Sequence, residues 1–444
     1  MVRVCGVFGT WQLMALVASL HQERDERERA SEINTIDADP CDDYLILYET
    51  AGVPDEFKNV LHDLAAAIWP WKRIVPAFDL VTNERRMPQH RYDLALRSIR
   101  ERLGLTADAP DELWVCFLTR PAEKALFEAF PRASIILYED GLMSYLDAPV
   151  AALDGEKDRN PLDSLRSGFV SLYETAFPVR RFRRSRWNID VRHLKRHRRN
   201  YHLLTRHFPL PSSLTNSPTC FVEERYALRA LRDGSPLLPP PSEFSRVTDP
   251  EWDGAVTDPK ADEREAPRAL LLGQALSRNG VMSHEEEAAI YRRVVATVLD
   301  RGYSIFWKDH PRVERTFFEE MREFADHREG TGRNMVRRLP FSHAFPVEMV
   351  AEKLNLSVCI AGTSAALFYL RRFYSLPCYT FARDLSPYLG DADIAMSEIV
   401  VREIPSLDEL PMAMLSQEQD SMADLLKVKR DPVSGSLRRG VSAV

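Results

Sequence analysis

Short apolar runs alternate with helix-period segments along the first 150 residues: 2–8, then a helical stretch to about residue 29; 44–48, then 56–68; 113–118, then 122–130; and 134–138. A run that stays apolar at successive positions suits a strand buried on both faces, and strands alternating with helices imply a parallel sheet covered by helices. Pro121 and Pro131 punctuate the 122–130 helix at its two ends. The pattern weakens from about 150 to 230, and 233–267, first proline-rich and then acidic, reads as a linker. Alternation resumes with strands at 269–274, 304–307, 357–360 and 378–381 and helices at 283–300, 315–324, 347–354 and 365–373. Ser283 with Glu286 three residues on has the spacing of a capping box. The expected organisation is α/β with two domains: 1–232, a linker at 233–267, a second parallel-sheet domain at 268–430 and a disordered tail at 431–444.

Composition narrows this picture. A chain of 444 residues exceeds what one core sustains, and 45% apolar with 28% charged residues is ordinary for a globular protein. Residues 4–20 are apolar enough to imitate a signal-peptide core, but Gly6, Gly9 and Gln12 divide them into strand, loop and helix. Six scattered cysteines with no C-x-x-C pair speak against a disulfide framework or a structural zinc, and fit a reducing cytoplasm. The net charge of −7 hides an asymmetry: residues 180–206 carry eleven Lys/Arg against Asp190 alone, a formal +10, leaving −17 elsewhere. Phe182, Trp187 and Tyr201 lie within that segment, so it reads as a solvated face or as a surface for an anionic glycan or anionic lipid. No nucleic-acid recognition motif accompanies it, so nucleic acid is not an expected partner.

Three motifs stand where apolar strands stop, the place where open α/β sheets bind ligands. The first is Tyr138-Glu139-Asp140-Gly141. Successive residues on a strand face opposite ways, so one carboxylate faces a given cleft as a general base while its neighbour serves as scaffold. Gly141 permits a tight turn. The second is Lys308-Asp309-His310-Pro311-Arg312. Pro311 biases His310 to an extended backbone at a strand exit, and the imidazole beside Lys308 and Arg312 suits a phosphate-facing acid. The third is Gly362-Thr363-Ser364-Ala365-Ala366, a glycine and two hydroxyls at a helix N-terminus, which is an anion site or a plain N-cap. Two D-x-D strings, Asp37-Ala38-Asp39 and Asp391-Ala392-Asp393, follow no clear apolar strand, and no metal site is read from them.

Taken in this order, the acid-acid-glycine, histidine-proline and serine/threonine motifs resemble the bacterial sialyltransferase and polysialyltransferase families, the latter more closely. Gly9-Thr10-Trp11-Gln12 is similar to the first loop of the family's acceptor domain, and Leu272-Gly273-Gln274 to the first strand of its donor domain. The resemblance implies a GT-B architecture of two facing Rossmann-like domains, a CMP-sugar donor such as CMP-sialic acid, inversion at the anomeric centre and no catalytic metal or cofactor. It makes Asp140 the base on the acceptor hydroxyl, with Glu139 its supporter or rival, and His310 the group acting on the CMP phosphate. Thr363 and Ser364 would bind that phosphate, with Gly362, Gly273, Gln274, Lys308 and Pro311 around the donor and Glu348 toward its ribose. Gly9, Thr10, Gln12 and Gly141 would face the acceptor. It further implies an anionic cell-surface glycan as acceptor and a peripheral contact with the inner membrane through 180–206. A CDP-alditol phosphotransferase, which also releases CMP, is the enzymatic alternative; a degenerate glycan-binding relative is the other.

Overall fold

The computed structural model describes residues 1–34, 41–48, 53–77, 86–118, 120–145, 179–181, 191–204, 214, 217–238, 266–311, 313, 317–329, 335–339 and 341–413. The expected tail, most of the expected linker, Arg312, Asp37-Ala38-Asp39 and residues 182–190 of the basic segment lie outside the described residues. The first elements are β1 (Val2–Val7), α1 (Thr10–Asn34), β2 (Asp42–Leu47), α2 (Asp55–Ile68), β3 (Arg73–Pro76), β4 (Arg86–Pro88), α3 (Gln89–Leu103), β5 (Glu112–Val115), α4 (Pro121–Ala129) and β6 (Ser134–Tyr138). They continue with β7 (Val179–Arg181), α5 (Val191–Leu194), β8 (His197–His202), β9 (Thr219–Phe221) and α6 (Glu224–Gly234). After residue 265 come β10 (Arg268–Leu272), α7 (His284–Asp300), β11 (Ser304–Lys308), α8 (Phe318–Glu329), β12 (Val336–Arg338), β13 (Val358–Ala361), α9 (Ala366–Tyr374), β14 (Cys378–Thr380), α10 (Ala382–Leu385) and α11 (Asp391–Glu403).

The protein is α/β and built on two parallel sheets. One has seven strands in the order β3-β2-β1-β5-β6-β8-β9, the other five in the order β12-β11-β10-β13-β14, and β4 and β7 form a separate antiparallel ribbon. In each sheet the first strand is interior: the chain winds outward on one side of it and returns on the other. The reversals fall between β1 and β5 and between β10 and β13. At such reversals adjacent loops leave the carboxyl ends of the strands in opposite directions and open a crevice.

The apolar runs are continuous because both faces of the strands are covered. In the second sheet Leu270, Leu272, Cys359 and Ala361 belong to the same apolar cluster as the first sheet's core, whereas Ala269, Leu271, Val358 and Ile360 join a separate cluster with Ile305, Trp307 and Val336. The split follows the two-residue period of a strand. Residues 4–20 likewise form the end of a strand and a largely buried helix. Ser283 caps α7 as its spacing predicts, accepting from Glu286 N–H while the Glu286 side chain accepts from Ser283 N–H.

Three segments depart from expectation. The helix expected at 347–354 is instead a pair of 3-10 turns, Val347–Met349 and Ala351–Lys353. The Glu348 carbonyl, which an α-helix would offer to the fourth residue on, accepts from the Tyr374 hydroxyl at 2.6 Å. The helix expected at 315–324 begins and ends later, at Phe318–Glu329. Within the weak region, β8 is an inner strand of the first sheet although its sequence is His-Arg-Arg-Asn-Tyr-His. Part of its buried polar content is paired: Asn200 donates to the Leu214 carbonyl at 3.3 Å and His197 meets Ser217 Oγ at 3.0 Å, whereas the His202 ring nitrogens have no hydrogen-bond partner among the described residues.

The two halves meet at the carboxyl end of β6. Glu139 is buried and accepts from the hydroxyls of Tyr145 and Tyr369, the second supplied by α9 of the other half, and from the backbone N–H groups of Leu203 and Leu204. Trp11 of α1 packs on the Tyr369 ring with centroids 4.0 Å apart, and Arg372 donates to the Leu203 carbonyl. Thr10 Oγ1 donates to the Ala344 carbonyl at 2.9 Å. Tyr369→Phe keeps the ring packing and removes one donor from a buried carboxylate, which costs about 1–3 kcal/mol. Denaturant titration of the variant should show that loss, and an unchanged midpoint would refute the contact's structural weight.

Candidate active site

The first-sheet side of the site is assembled from the exits of β1, β5 and β6, which are neighbours in the sheet. Asp140, just past β6, is buried, and its backbone N–H donates to Ser144 Oγ at 2.6 Å, which fixes the turn. Gln12, in the first turn of α1, donates through Nε2 to Asp140 Oδ1, and the Gly9 carbonyl opens that helix by accepting from Leu13 N–H at 3.0 Å. Arg120, at the mouth of α4, brings Nη2 to 3.7 Å from Asp140 Oδ2. Gly141 has φ +61°, the left-handed region, and a β-carbon there would lie 3.0 Å from the Ala365 β-carbon of the other half. Glycine is therefore required twice over, by conformation and by the approach of the second half.

The second-sheet side comes from the exits of β10, β11 and β13, again neighbours. Gly273 N–H donates to the Lys308 carbonyl at 2.8 Å, and a β-carbon at Gly273 would press on the backbone of Lys308 and Asp309 at 3.3–3.4 Å. This holds the half-buried His310 and Pro311 over the end of β10. Gln274 Oε1 accepts from Thr363 Oγ1 at 3.3 Å, and Ser364 Oγ accepts from Ala366 N–H at 3.3 Å at the start of α9. The Gly362 carbonyl accepts from Thr380 Oγ1 at 2.7 Å, which ties that loop to β14. An unbroken series of contacts thus runs from His310 through Gly273, Gln274 and Thr363 to Ala365, Gly141 and Asp140.

Several residues singled out from the sequence are buried with partners of their own. Glu139 points away from the cleft into the contact between the halves, where burial raises its carboxyl above the ordinary carboxylate range against the lowering effect of its four hydrogen bonds. Lys308 and Glu348, expected at the donor phosphate and ribose, are both interior. Lys308 Nζ donates to the His343 carbonyl at 2.8 Å and burial brings its amine down to about 8, while burial lifts Glu348 to about 7; each partly offsets the other's shift. Thr10, expected to face the acceptor, is buried with its hydroxyl committed to Ala344. In the basic segment Arg196 is a structural residue that donates to the carbonyls of Phe127 in the last turn of α4 and of Phe130 and Ala133 after it, whereas Lys195, Arg198 and Arg199 are exposed. All six cysteines are free. Among the described residues no helix is long and apolar enough to cross a membrane.

Ser144, Tyr145, Tyr369, Arg120 and Glu123 did not announce themselves in the sequence. Arg120 alone had a usable signal, because Leu118 to Pro121 is a strand exit like the three motifs. Glu123 is buried behind Arg120 and accepts from the Tyr48 hydroxyl at 3.0 Å and from Phe117 N–H at 3.2 Å.

The alpha-2,8-polysialyltransferase (POLYST) family model matches residues 4–383. The chain belongs to the alpha-2,8-polysialyltransferase family. No curated protein sequence matches it. Among solved structures it is similar to S. aureus MnaA in its co-structure with UDP, at 9% identity over 97% of this chain and 99% of that one, with a TM-score of 0.46. A UDP-glucose: anthocyanidin 3-O-glucosyltransferase in complex with UDP gives 13% identity, 97% and 90% coverage and a TM-score of 0.43. UDP-GlcNAc 2-epimerase from Methanocaldococcus jannaschii gives 10% identity, 96% and 99% coverage and a TM-score of 0.40. Likenesses this distant decide nothing about chemistry; the family membership makes this polysialyltransferase relative a glycosyltransferase.

Burial raises the Glu123 carboxyl from an ordinary 4.5 to about 7, partly offset by the charge of Arg120 and by its hydrogen bonds. The folded state therefore holds the proton more tightly than the unfolded chain. The resulting stabilisation is complete below pH 4.5 and is lost as pH rises through about 7, a swing of about 3 kcal/mol. Glu123→Gln removes this dependence while keeping a side-chain oxygen for Tyr48 and Phe117. Thermal unfolding at pH 5 and pH 8 should show the variant gaining on the parent at the higher pH; a constant difference between them would count against the burial argument.

Proposed function

We propose that the protein is an inverting glycosyltransferase that moves a sialic acid or related sugar from a CMP-sugar to an anionic cell-surface glycan, with no metal or cofactor in the step. The observation that supports it most is that a β-carbon at Gly141 would lie 3.0 Å from the Ala365 β-carbon, so the carboxylate loop of one sheet lies close to the hydroxyl-pair helix of the other. In this reading Asp140 takes the proton from the acceptor hydroxyl. Gln12 and the Ser144-bound backbone aim its carboxylate, and Glu139 is the scaffold beneath it. His310 donates to, or charges against, the departing CMP phosphate, which rests on Thr363, Ser364 and the opening N–H groups of α9. Bond breaking leads bond making at the anomeric carbon, so the site acts mainly by stabilising charge on phosphate on one side and collecting a proton on the other.

Gly362 and Gly273 let the donor-side loops pack closely, while Lys308 and Glu348 form an interior pair that supports the His310 loop. On the acceptor side Gly9 and Gln12 border Asp140, and the exposed Lys195, Arg198 and Arg199 offer positive charge to an anionic glycan or to the inner-membrane surface.

Isothermal titration with CMP, CDP and UMP should show selective CMP binding, weakened at least about tenfold in His310→Ala. Asp140→Asn should bind CMP as the parent does, unfold at the same temperature and lose transfer from CMP-sialic acid by about 100-fold or more. Normal turnover in Asp140→Asn would remove it as base, and failure to bind CMP would remove the donor assignment.

A further inference from the structure

The loop between β10 and α7 carries Gly273 and Gln274 to the second-sheet side of the site, and α7 holds it from behind. Glu287 and Tyr291 lie one turn apart on that helix, and both side chains are buried. The Tyr291 hydroxyl accepts from Gln274 N–H at 2.6 Å and donates to Glu287 Oε1 at 3.3 Å. Glu287 Oε2 accepts from Ser277 N–H at 2.7 Å, and its Oε1 from Leu276 N–H at 3.4 Å. The Tyr291 ring is fixed by Trp307, Phe317 and Phe381, with centroids 5.0, 5.1 and 6.0 Å away. Burying a carboxyl costs free energy unless its oxygens are paired, and these oxygens are spent on one loop and on the tyrosine that braces it. In front of the loop, the half-buried Gln274 side chain accepts from Thr363 Oγ1 at 3.3 Å, and a β-carbon at Gly362 would lie 3.0 Å from its Cδ. Hydrogen bonds therefore connect α7 to the hydroxyl-pair loop through one residue, held by its backbone on one side and by its side chain on the other.

The geometry points to Tyr291 and Glu287 as positioning residues: without touching a ligand, they fix the Gln274 peptide plane and, through the Gln274 side chain, the place of the Thr363 hydroxyl. This rests on the reading of Thr363 and Ser364 as the seat of the donor phosphate. Gly273 N–H is held by the Lys308 carbonyl, so the Gln274 peptide is the next point at which the loop could turn. Loss of the Tyr291 oxygen leaves that N–H without its acceptor, and the side chain on the same Cα moves with the freed peptide. Displacements of about 1 Å at groups that hold a substrate are costly in affinity and rate. Ser364 is anchored separately, by Ala366 N–H to its Oγ, so the disturbance falls on Thr363.

The test is titration of the full chain with CMP, well below the unfolding temperature of each variant. Tyr291→Phe, which keeps the ring and removes the oxygen, should weaken CMP binding about tenfold. Gln274→Ala should weaken it by a similar factor, and the double variant no further than Gln274→Ala alone, because Tyr291 acts through Gln274. Glu287→Gln, which keeps an acceptor oxygen for the loop, should bind CMP more tightly than Glu287→Ala. A lower unfolding temperature with unchanged CMP affinity in Tyr291→Phe would make the tyrosine a packing residue only, and losses that multiply in the double variant would break the link through Gln274; either result overturns the assignment. Amide hydrogen exchange without ligand is an independent readout: Tyr291→Phe should speed exchange at 274–277 and at 362–366 and leave the β10 amides protected. A rise confined to 274–277 would also overturn it. If the parent bound no CMP, the donor reading would fail, and exchange at 362–366 would still decide whether Tyr291 positions that loop.

Discussion

The buried carboxylate of Glu139 is the contact on which the arrangement of the site depends. It draws donors from three places in the chain: Tyr145 in the turn after its own strand, the Leu203 and Leu204 N–H groups at the exit of β8, and Tyr369 on α9 of the other half. A carboxylate removed from water is tolerated only when its oxygens are satisfied, so all three segments must be in place together. Because Asp140 and Gly141 follow directly in the chain, fastening Glu139 also sets the position of the neighbouring carboxylate and of the glycine against which α9 begins. The acid pair is thus divided: one member is spent on holding the halves together and the other is left at the cleft.

A similar division runs through the second sheet. The loop after β11 presents His310, while Lys308 turns inward to the His343 carbonyl and the neighbourhood of Glu348. Both interior groups are shifted toward neutrality by burial, and their mutual attraction limits the shift. Motif residues that look equivalent on paper therefore divide into half-buried ones such as His310 and interior ones such as Lys308. Residue type does not separate the two, since lysine and glutamate take either position.

The basic segment shows the same limit from another direction. Within 195–199 Arg196 satisfies three backbone carbonyls at and after the end of α4, while Lys195, Arg198 and Arg199 remain at the surface. The strand β8 carries polar residues inward, which no hydrophobic period reveals. Charge counted along a sequence measures the field a segment could generate; how much of it reaches solvent is decided by the carbonyls and rings that the fold brings alongside.

What the sequence determined by itself was the succession of buried strands and helices, the parallel α/β class and the three motif loops, because these depend on local periodicity, strand-ending glycine and proline, and residue chemistry. It also marked both sheets' exits, and the motif loops that carry Asp140, His310, Thr363 and Ser364 do lie at the carboxyl ends of the strands. Only the tertiary structure decided that Glu139, Thr10, Lys308 and Glu348 are interior, that 347–354 forms 3-10 turns, and that Arg120 and Gln12 flank Asp140. Each of those outcomes turns on a partner far away in the chain: Tyr369 for Glu139, Ala344 for Thr10, Tyr374 for the Glu348 carbonyl, Asp140 for Arg120. Periodicity reports which face of an element is buried. Which hydrogen-bonding group waits on the other side of that burial is set by long-range packing, which gives two adjacent carboxylates different partners.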